Sequence, residues 1–287
     1  MVAFWNLKNG LFISTGVIMV TAIKNDKSKA YGNRVATCLD TATYWDNYGR
    51  EYVLKQKSAN TYSNQYIKSF YHQLVSRALG RLQFNRGLRI LKVDLWNEGV
   101  ETSRDILSHF ENFETVGFDL SNAICHLAKD RLYNSGIVQA TCQTLPFANE
   151  NFDLVLDLST IDHIPFSKTK DIFTEYYRVL KPTGLLAIAF WQSNIATKYF
   201  LHIDPEQLYF DSKKVADSLE DIGFKIVDSY DIGALLTIID CNFWLGQFLF
   251  WRLKAAFEDK LFTSAARVEP YIFNWLGGLH VFYACHP

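Results

Sequence analysis

Three groups of residues in this chain have the types and spacing to do chemistry. Asp119 ends the apolar run Thr115–Phe118 and stands two residues before Ser121. A carboxylate where a strand gives way to a helix can accept hydrogen bonds from a pair of vicinal hydroxyls, as the corresponding acid does in dinucleotide folds. It could equally serve only the dipole of the helix that follows. His163, in Ile161-Asp162-His163-Ile164, lies just beyond the apolar run Phe152–Leu158 and could act as a general base. A structural histidine hydrogen-bonded near a turn would look the same. The third group, Asp94-Leu95-Trp96-Asn97-Glu98, places two acids and an amide directly behind another apolar run, Leu88–Val93.

Several chemistries are absent. The cysteines (Cys38, Cys125, Cys142, Cys241, Cys285) are odd in number and never paired as CxxC, so neither a metal site nor a disulfide framework is expected. There is no GxSxG elbow of a hydrolase. The acids of 94–98 would repel a pyrophosphate, which argues against a nicotinamide dehydrogenase. A net charge of −1 gives no pull toward nucleic acid.

The elements that must position these residues alternate in type. Residues Thr41–Leu79 carry aromatics near the helical period, broken by the polar stretch Ser58–Ser63. Strands are then expected at Leu88–Val93, Thr115–Phe118, Ile137–Ala140, Phe152–Leu158, Leu185–Phe190, Phe224–Tyr230 and Leu279–Cys285. Helices are expected at about Val100–Asn112, from a Ser121 cap to the Ser135-Gly136 stop, from a Ser167 cap to Leu180, at Asp211–Gly223, and as one or two hydrophobic helices within Leu235–Tyr271. Lys181-Pro182-Thr183-Gly184 reads as a turn. Alternation of this kind predicts an α/β fold: a doubly wound, Rossmann-like sheet of about seven strands with N-terminal helices and a helical insertion before the last strand. The expected division is a cap over 1–85 and an α/β domain over 86–287, with the insertion at about 235–275.

The apolar stretch Leu11–Ile23 is shorter than the ~20 residues a membrane span needs. It could be a signal-peptide core, but it lacks a clear small-residue cleavage site. Residues 1–35 read as a peripheral extension, and Met19 is an alternative start. A cytoplasmic location is expected.

Three stretches together resemble the class I S-adenosylmethionine (SAM)-dependent methyltransferases of the type 11 kind. They are Thr115-Val-Gly-Phe-Asp119-Leu-Ser; Ala140-Thr-Cys-Gln-Thr-Leu145-Pro146-Phe147 with Asn151-Phe152-Asp153-Leu-Val-Leu-Asp-Leu158, similar to an "LPF…FDLV" signature; and Tyr177-Arg178-Val179-Leu180-Lys181-Pro182-Thr183-Gly184, similar to "RVLKPGG". They come in the family's order over residues ~85–190, and the family places an antiparallel strand last. The resemblance departs at the first loop. The family has an acid followed by GxGxG; here Lys92 stands at the acid, and Asp94, Trp96 and Glu98 stand at the glycines. Side chains there imply a wider loop, with an acid turned into the cleft, a cofactor that sits differently, or a site that no longer binds it.

The resemblance implies S-adenosyl-L-methionine as cofactor. It implies Asp94, Trp96, Asn97 and Glu98 at its amino-acid end, with Asp94 or Glu98 accepting from the ammonium. Asp119 and Leu120 fall at the ribose, Thr141, Cys142 and Gln143 at the adenine edge, and Leu158 and Ser159 near the methyl group. His163 is the catalytic candidate. The family's (D/N)PPY box is absent, so base or amide methylation has no specific support. Aromatics at Tyr44–Tyr52 and Phe243–Trp251 exceed what a core requires. They imply a lid over a small, largely apolar or lipid-like acceptor, and leave open a homodimer or a peripheral membrane contact. A methyltransferase-like binding protein without catalysis is the alternative.

Overall fold

The structure is a computed structural model, and it describes residues 42–55, 62–82, 87–110, 112–194, 197, 207–233 and 277–287. The peripheral extension, the Met19 start, the hydrophobic helices of 235–271 and the aromatic run Phe243–Trp251 lie outside the described residues.

Two helices come first, α1 (Ala42–Lys55) and α2 (Tyr62–Arg81). The α/β part follows as β1 (Arg89–Val93), a one-turn α3 (Trp96–Gly99), β2 (Glu114–Asp119), α4 (Asn122–Lys129), β3 (Ser135–Gln139), β4 (Phe152–Leu158), α5 (Thr169–Val179), β5 (Leu180–Trp191), α6 (Ser212–Ile222), β6 (Lys225–Ile232) and β7 (Leu279–Cys285). The strands form one seven-stranded sheet in the order β3-β2-β1-β4-β5-β7-β6. All pairings from β3 to β5 are parallel, and β7 runs antiparallel to both of its neighbours.

Alternation along the strands divides the core in two. Ile90, Leu154, Leu156, Ala187, Val281 and Tyr283 face α2 and α4 through Phe70, Leu74, Ala78, Ile124 and Ala128. Leu91, Val93, Val155, Leu186, Ile188 and Phe282 face α5 and α6 through Ile172, Phe173, Tyr176, Val215 and Leu219. The strand order reverses between β1 and β4. In such sheets the crevice at the carboxyl ends of those strands is where ligands bind.

Four local expectations are corrected. The helix expected over Val100–Asn112 is replaced by α3 and two 3-10 turns, Thr102–Arg104 and Leu107–His109. Local polar contacts compete with a helix there: Ser103 Oγ donates to Glu101 at 2.6 Å and Ser108 N donates to Asp105 at 3.3 Å. Ser135-Gly136 opens β3 instead of ending a helix, and Ser135 Oγ lies 2.6 Å from Thr115 Oγ1 of β2. Lys181–Gly184 is an excursion within β5, because Leu180 pairs with Phe152 and Leu185 with Leu154. Ser167 does not cap α5, which begins at Thr169, whose hydroxyl donates to Phe166 O at 2.8 Å. Ser121 does cap α4, accepting from Ile124 N at 3.1 Å.

Candidate functional site

At the crevice lies a cleft of about 350 Å³, within the ~300–1,000 Å³ usual for small-molecule sites. Its floor is built by the heads of four parallel strands. β1 contributes Asp94, Trp96 and Asn97; β2 contributes Asp119 and Leu120; the segment after β3 contributes Thr141, Cys142 and Gln143; β4 contributes Leu158, Ser159 and, one turn on, His163.

The β1 head turns without glycine. Asp94 has φ 51° and Ser159, at the head of neighbouring β4, has φ 70°. The left-handed region costs a non-glycine residue roughly 1–2 kcal/mol, least for Asp. Both bends are held by side chains. Asp94 accepts from Trp96 N at 2.9 Å and from the Thr160 hydroxyl, which ties the two strand heads together. Ser159 Oγ donates to Asp162 at 2.9 Å, and Asp162 also accepts from Trp191 N at 2.7 Å.

Asp119 is 6% exposed. One carboxylate oxygen accepts from Leu95 N at 2.9 Å and the other from Ser121 N at 2.8 Å, leaving each a free lone pair toward the cleft. Burial and the nearby Asp94 charge outweigh these bonds and raise its pKa to about 7. Thr141 Oγ1 accepts from Gln143 N at 3.4 Å. Burial, and then Asp157, push the Cys142 thiol up to about 12, so it lines the wall as an inert apolar group. His163 sits with Nε2 4.0 Å from Asp162 Oδ1 and its ring 5.3 Å from that of Trp45.

Glu98 does not take the place given to it. It is buried behind the loop, where its Oε2 lies 3.5 Å from Lys92 Nζ and its Oε1 accepts from Ile106 N at 3.3 Å. The one-turn helix α3 rotates it away from the cleft wall and brings Asn97 and Trp96 forward.

The cleft's other wall comes from α1 and α2. Trp45, Tyr48 and Tyr52 line it, which places the Tyr44–Tyr52 half of the expected lid over the crevice. Their rings gather on Trp96, at centroid distances of 6.1, 5.4 and 5.1 Å. The Tyr52 hydroxyl donates to Glu101 at 3.0 Å. Asp46 accepts from Ala123 N at 3.0 Å and from the Ser121 hydroxyl, so α1 is fastened to the N-terminus of α4. The bulk that Trp96 adds to the loop is thus taken up by the cap.

Sequence reasoning missed Tyr71, Arg104, Trp191 and Gln207, which also line the cleft. Tyr71 carries only helical periodicity as a signal, and Arg104 lies in the segment misread as a helix. The residues present suit a cationic, hydrogen-bonding adenosyl cofactor. Two acids face the cleft, and the buried Asn97 and Tyr71 also line it. No cluster of His, Cys, Asp or Glu among the described residues could hold a metal ion, and no described helix is long and apolar enough to cross a membrane.

Residues 99–188 match the family model of the methyltransferase domain; the match begins just past the β1 loop. The chain is 25% identical over 184 residues to sterol methyltransferase-like 1 of Botryococcus braunii (58% of this chain, 46% of that protein). It is 25% identical over 130 residues to phosphoethanolamine N-methyltransferase of Plasmodium falciparum (44% of this chain, 48% of that protein). Each match takes in less than half the length of the relative. Among solved structures, the cyclase SpnF superposes with a TM-score of 0.50 at 17% identity, covering 75% of this chain and 81% of that one, a likeness of fold alone. The sheet with its antiparallel last strand and the match over 99–188 agree: these residues are similar to the methyltransferase domain and lie in the kind of sheet that the resemblance implies.

Proposed function

We propose that the protein transfers a methyl group from SAM to a small, largely apolar or lipid-like acceptor. The observation that carries this reading is the convergence of the Asp94 and Asp119 carboxylates with the aromatic wall of α1 in one cleft. When bound, SAM supplies an electrophilic methyl group on a positively charged sulfur. The chain's own residues then bind and orient. Asp119 accepts from the ribose hydroxyls, Asp94 and Asn97 hold the amino-acid end beside Trp96, and Leu120, Thr141, Cys142 and Gln143 enclose the adenine. Leu158 and Ser159 flank the reacting centre. His163 holds or removes a proton from the acceptor, turned toward it by Asp162 and Trp45. The aromatic rings exclude water and position the acceptor, and positioning is most of what an already activated methyl group needs.

A relative whose name includes a sterol supports an acceptor of lipid character, with the methylated atom left open. Within the same reading the protein acts in the cytoplasm and not on nucleic acid, in keeping with its net charge of −1. A non-catalytic binding protein is favoured by one fact, that the family match starts beyond the β1 loop.

Titration calorimetry with S-adenosylhomocysteine tests the reading. Wild type should bind, and Asp119→Asn should bind roughly ten- to a hundredfold more weakly, the worth of ~1.5–3 kcal/mol for hydrogen bonds to a charged group. His163→Gln should keep that affinity and lose methyl transfer to the true acceptor. Wild type that binds no adenosyl ligand would overturn the proposal, and binding with no turnover on any acceptor would favour the binding protein.

A further inference from the structure

The head of β1 holds a charge arrangement that the proposed function leaves unused. Lys92 is 0% exposed, on the central strand of the sheet and directly under the cleft floor. Its ammonium donates to the carbonyls of Val93 at 3.2 Å and Asp94 at 3.0 Å. It also lies 3.5 Å from Glu98 Oε2 and 3.7 Å from Asp94 Oδ1. Glu98 Oε2 has no hydrogen bond of its own, so Lys92 is the group that offsets its charge. A buried acid or base left alone is strongly disfavoured, and each of these two makes the other tolerable.

This pairing has a consequence for the cleft. An exposed lysine at the strand head would repel a cationic ligand. Here it is buried between Glu98, behind the loop, and Asp94, whose carboxylate lines the cleft. The bond from Lys92 to the Asp94 carbonyl also fastens the peptide whose left-handed bend points that carboxylate into the crevice.

We infer that Lys92 is a positioning residue: paired with Glu98, it holds the Asp94 peptide so that the Asp94 carboxylate receives the ammonium of the cofactor's amino-acid arm. The inference rests on the proposed binding of SAM and deepens it. Each Asp94 oxygen already accepts one bond, from Trp96 N or from Thr160 Oγ1, and retains a lone pair for the ligand.

The test compares two adenosine thioethers: S-adenosylhomocysteine, which has the amino-acid arm, and methylthioadenosine, which lacks it. Lys92→Met is made together with Glu98→Gln so that no buried acid is left unpaired. This double variant should bind S-adenosylhomocysteine about tenfold more weakly, as expected for loss of one charge-assisted contact, and methylthioadenosine as wild type does. Lys92→Gln with Glu98→Gln keeps a donor to the Asp94 carbonyl without the charge. It should recover part of the lost affinity, and it serves as the test if the methionine variant does not fold. Equal weakening for both ligands would mean that Lys92 only supports the fold, and no weakening for either would mean that it positions nothing; both overturn the inference while leaving cofactor binding standing. Wild type that binds neither thioether overturns the cofactor assignment and this inference with it.

Discussion

Glu98, Asp119 and Asp157 lie buried around the heads of β1, β2 and β4, and burial raises each to about 7. Opposing contacts do not undo it: Lys92 for Glu98, the N–H groups of Leu95 and Ser121 for Asp119, and Thr160 N and the Tyr176 hydroxyl for Asp157. An unfolded carboxyl titrates near ~4, so these groups favour the folded state when protonated. That contribution is complete below about pH 4 and is lost as the pH climbs to about 7. The melting temperature of the ligand-free protein should therefore fall across that window, and Asp157→Asn should flatten part of the fall. A melting curve that shows stability rising through it would contradict the assignment. Much of this was legible in advance. The family resemblance put Asp119 and the run Thr141–Gln143 at the cofactor, and all four residues line the cleft. The orientation of Glu98 was not legible, because whether an acid on a loop turns in or out depends here on the single turn of α3 and on a lysine whose burial no local pattern announces.

At the scale of elements, α1 matters most. It reaches the domain through Asp46, which caps α4 from outside its own chain segment, and through the rings packed on Trp96. Asp46→Ala removes two hydrogen bonds at a helix N-terminus and should destabilise the protein by about 1–2 kcal/mol. Because α1 would then sit loosely over the cleft, turnover should fall more than adenosyl affinity, measurable as a drop in kcat beside a nearly unchanged calorimetric Kd. A parallel loss of both would show that α1 belongs to the cofactor site instead. The strands were readable because their apolar runs are continuous where they are buried on both faces, and β7 falls on the expected residues. The segment 100–112 was not, since its spacing of apolar residues suits a helix while Glu101, Ser103 and Asp105 satisfy backbone and side-chain groups locally.

Across the whole molecule, the second helix and the last described strand are joined. The Tyr283 hydroxyl, on β7, donates to Leu74 O of α2 at 2.8 Å and meets the Tyr230 hydroxyl at 3.1 Å. Arg77 lies 4.7 Å over the Tyr230 ring and Arg81 5.1 Å over that of Tyr283. Tyr283→Phe removes a hydroxyl that bonds both the Leu74 carbonyl and the Tyr230 hydroxyl and should cost about 0.5–1.5 kcal/mol, read as a lower midpoint in urea with an unchanged slope. An unchanged midpoint would show that water replaces the hydroxyl. No local pattern could have revealed this contact, because its partners stand 209 residues apart in sequence.

The position of β7 also orders events during synthesis. Leu279, at its start, lines the cleft, and Tyr283 fastens the helix that carries Tyr71. The floor residues from Asp94 to His163 leave the ribosome long before either. A nascent chain holding every residue of the floor still lacks one side of its wall, and the edge of β5 stays unpaired until β7 slots in between β5 and β6. The cleft is therefore completed only once β7, the latest of the described strands in sequence, has been made.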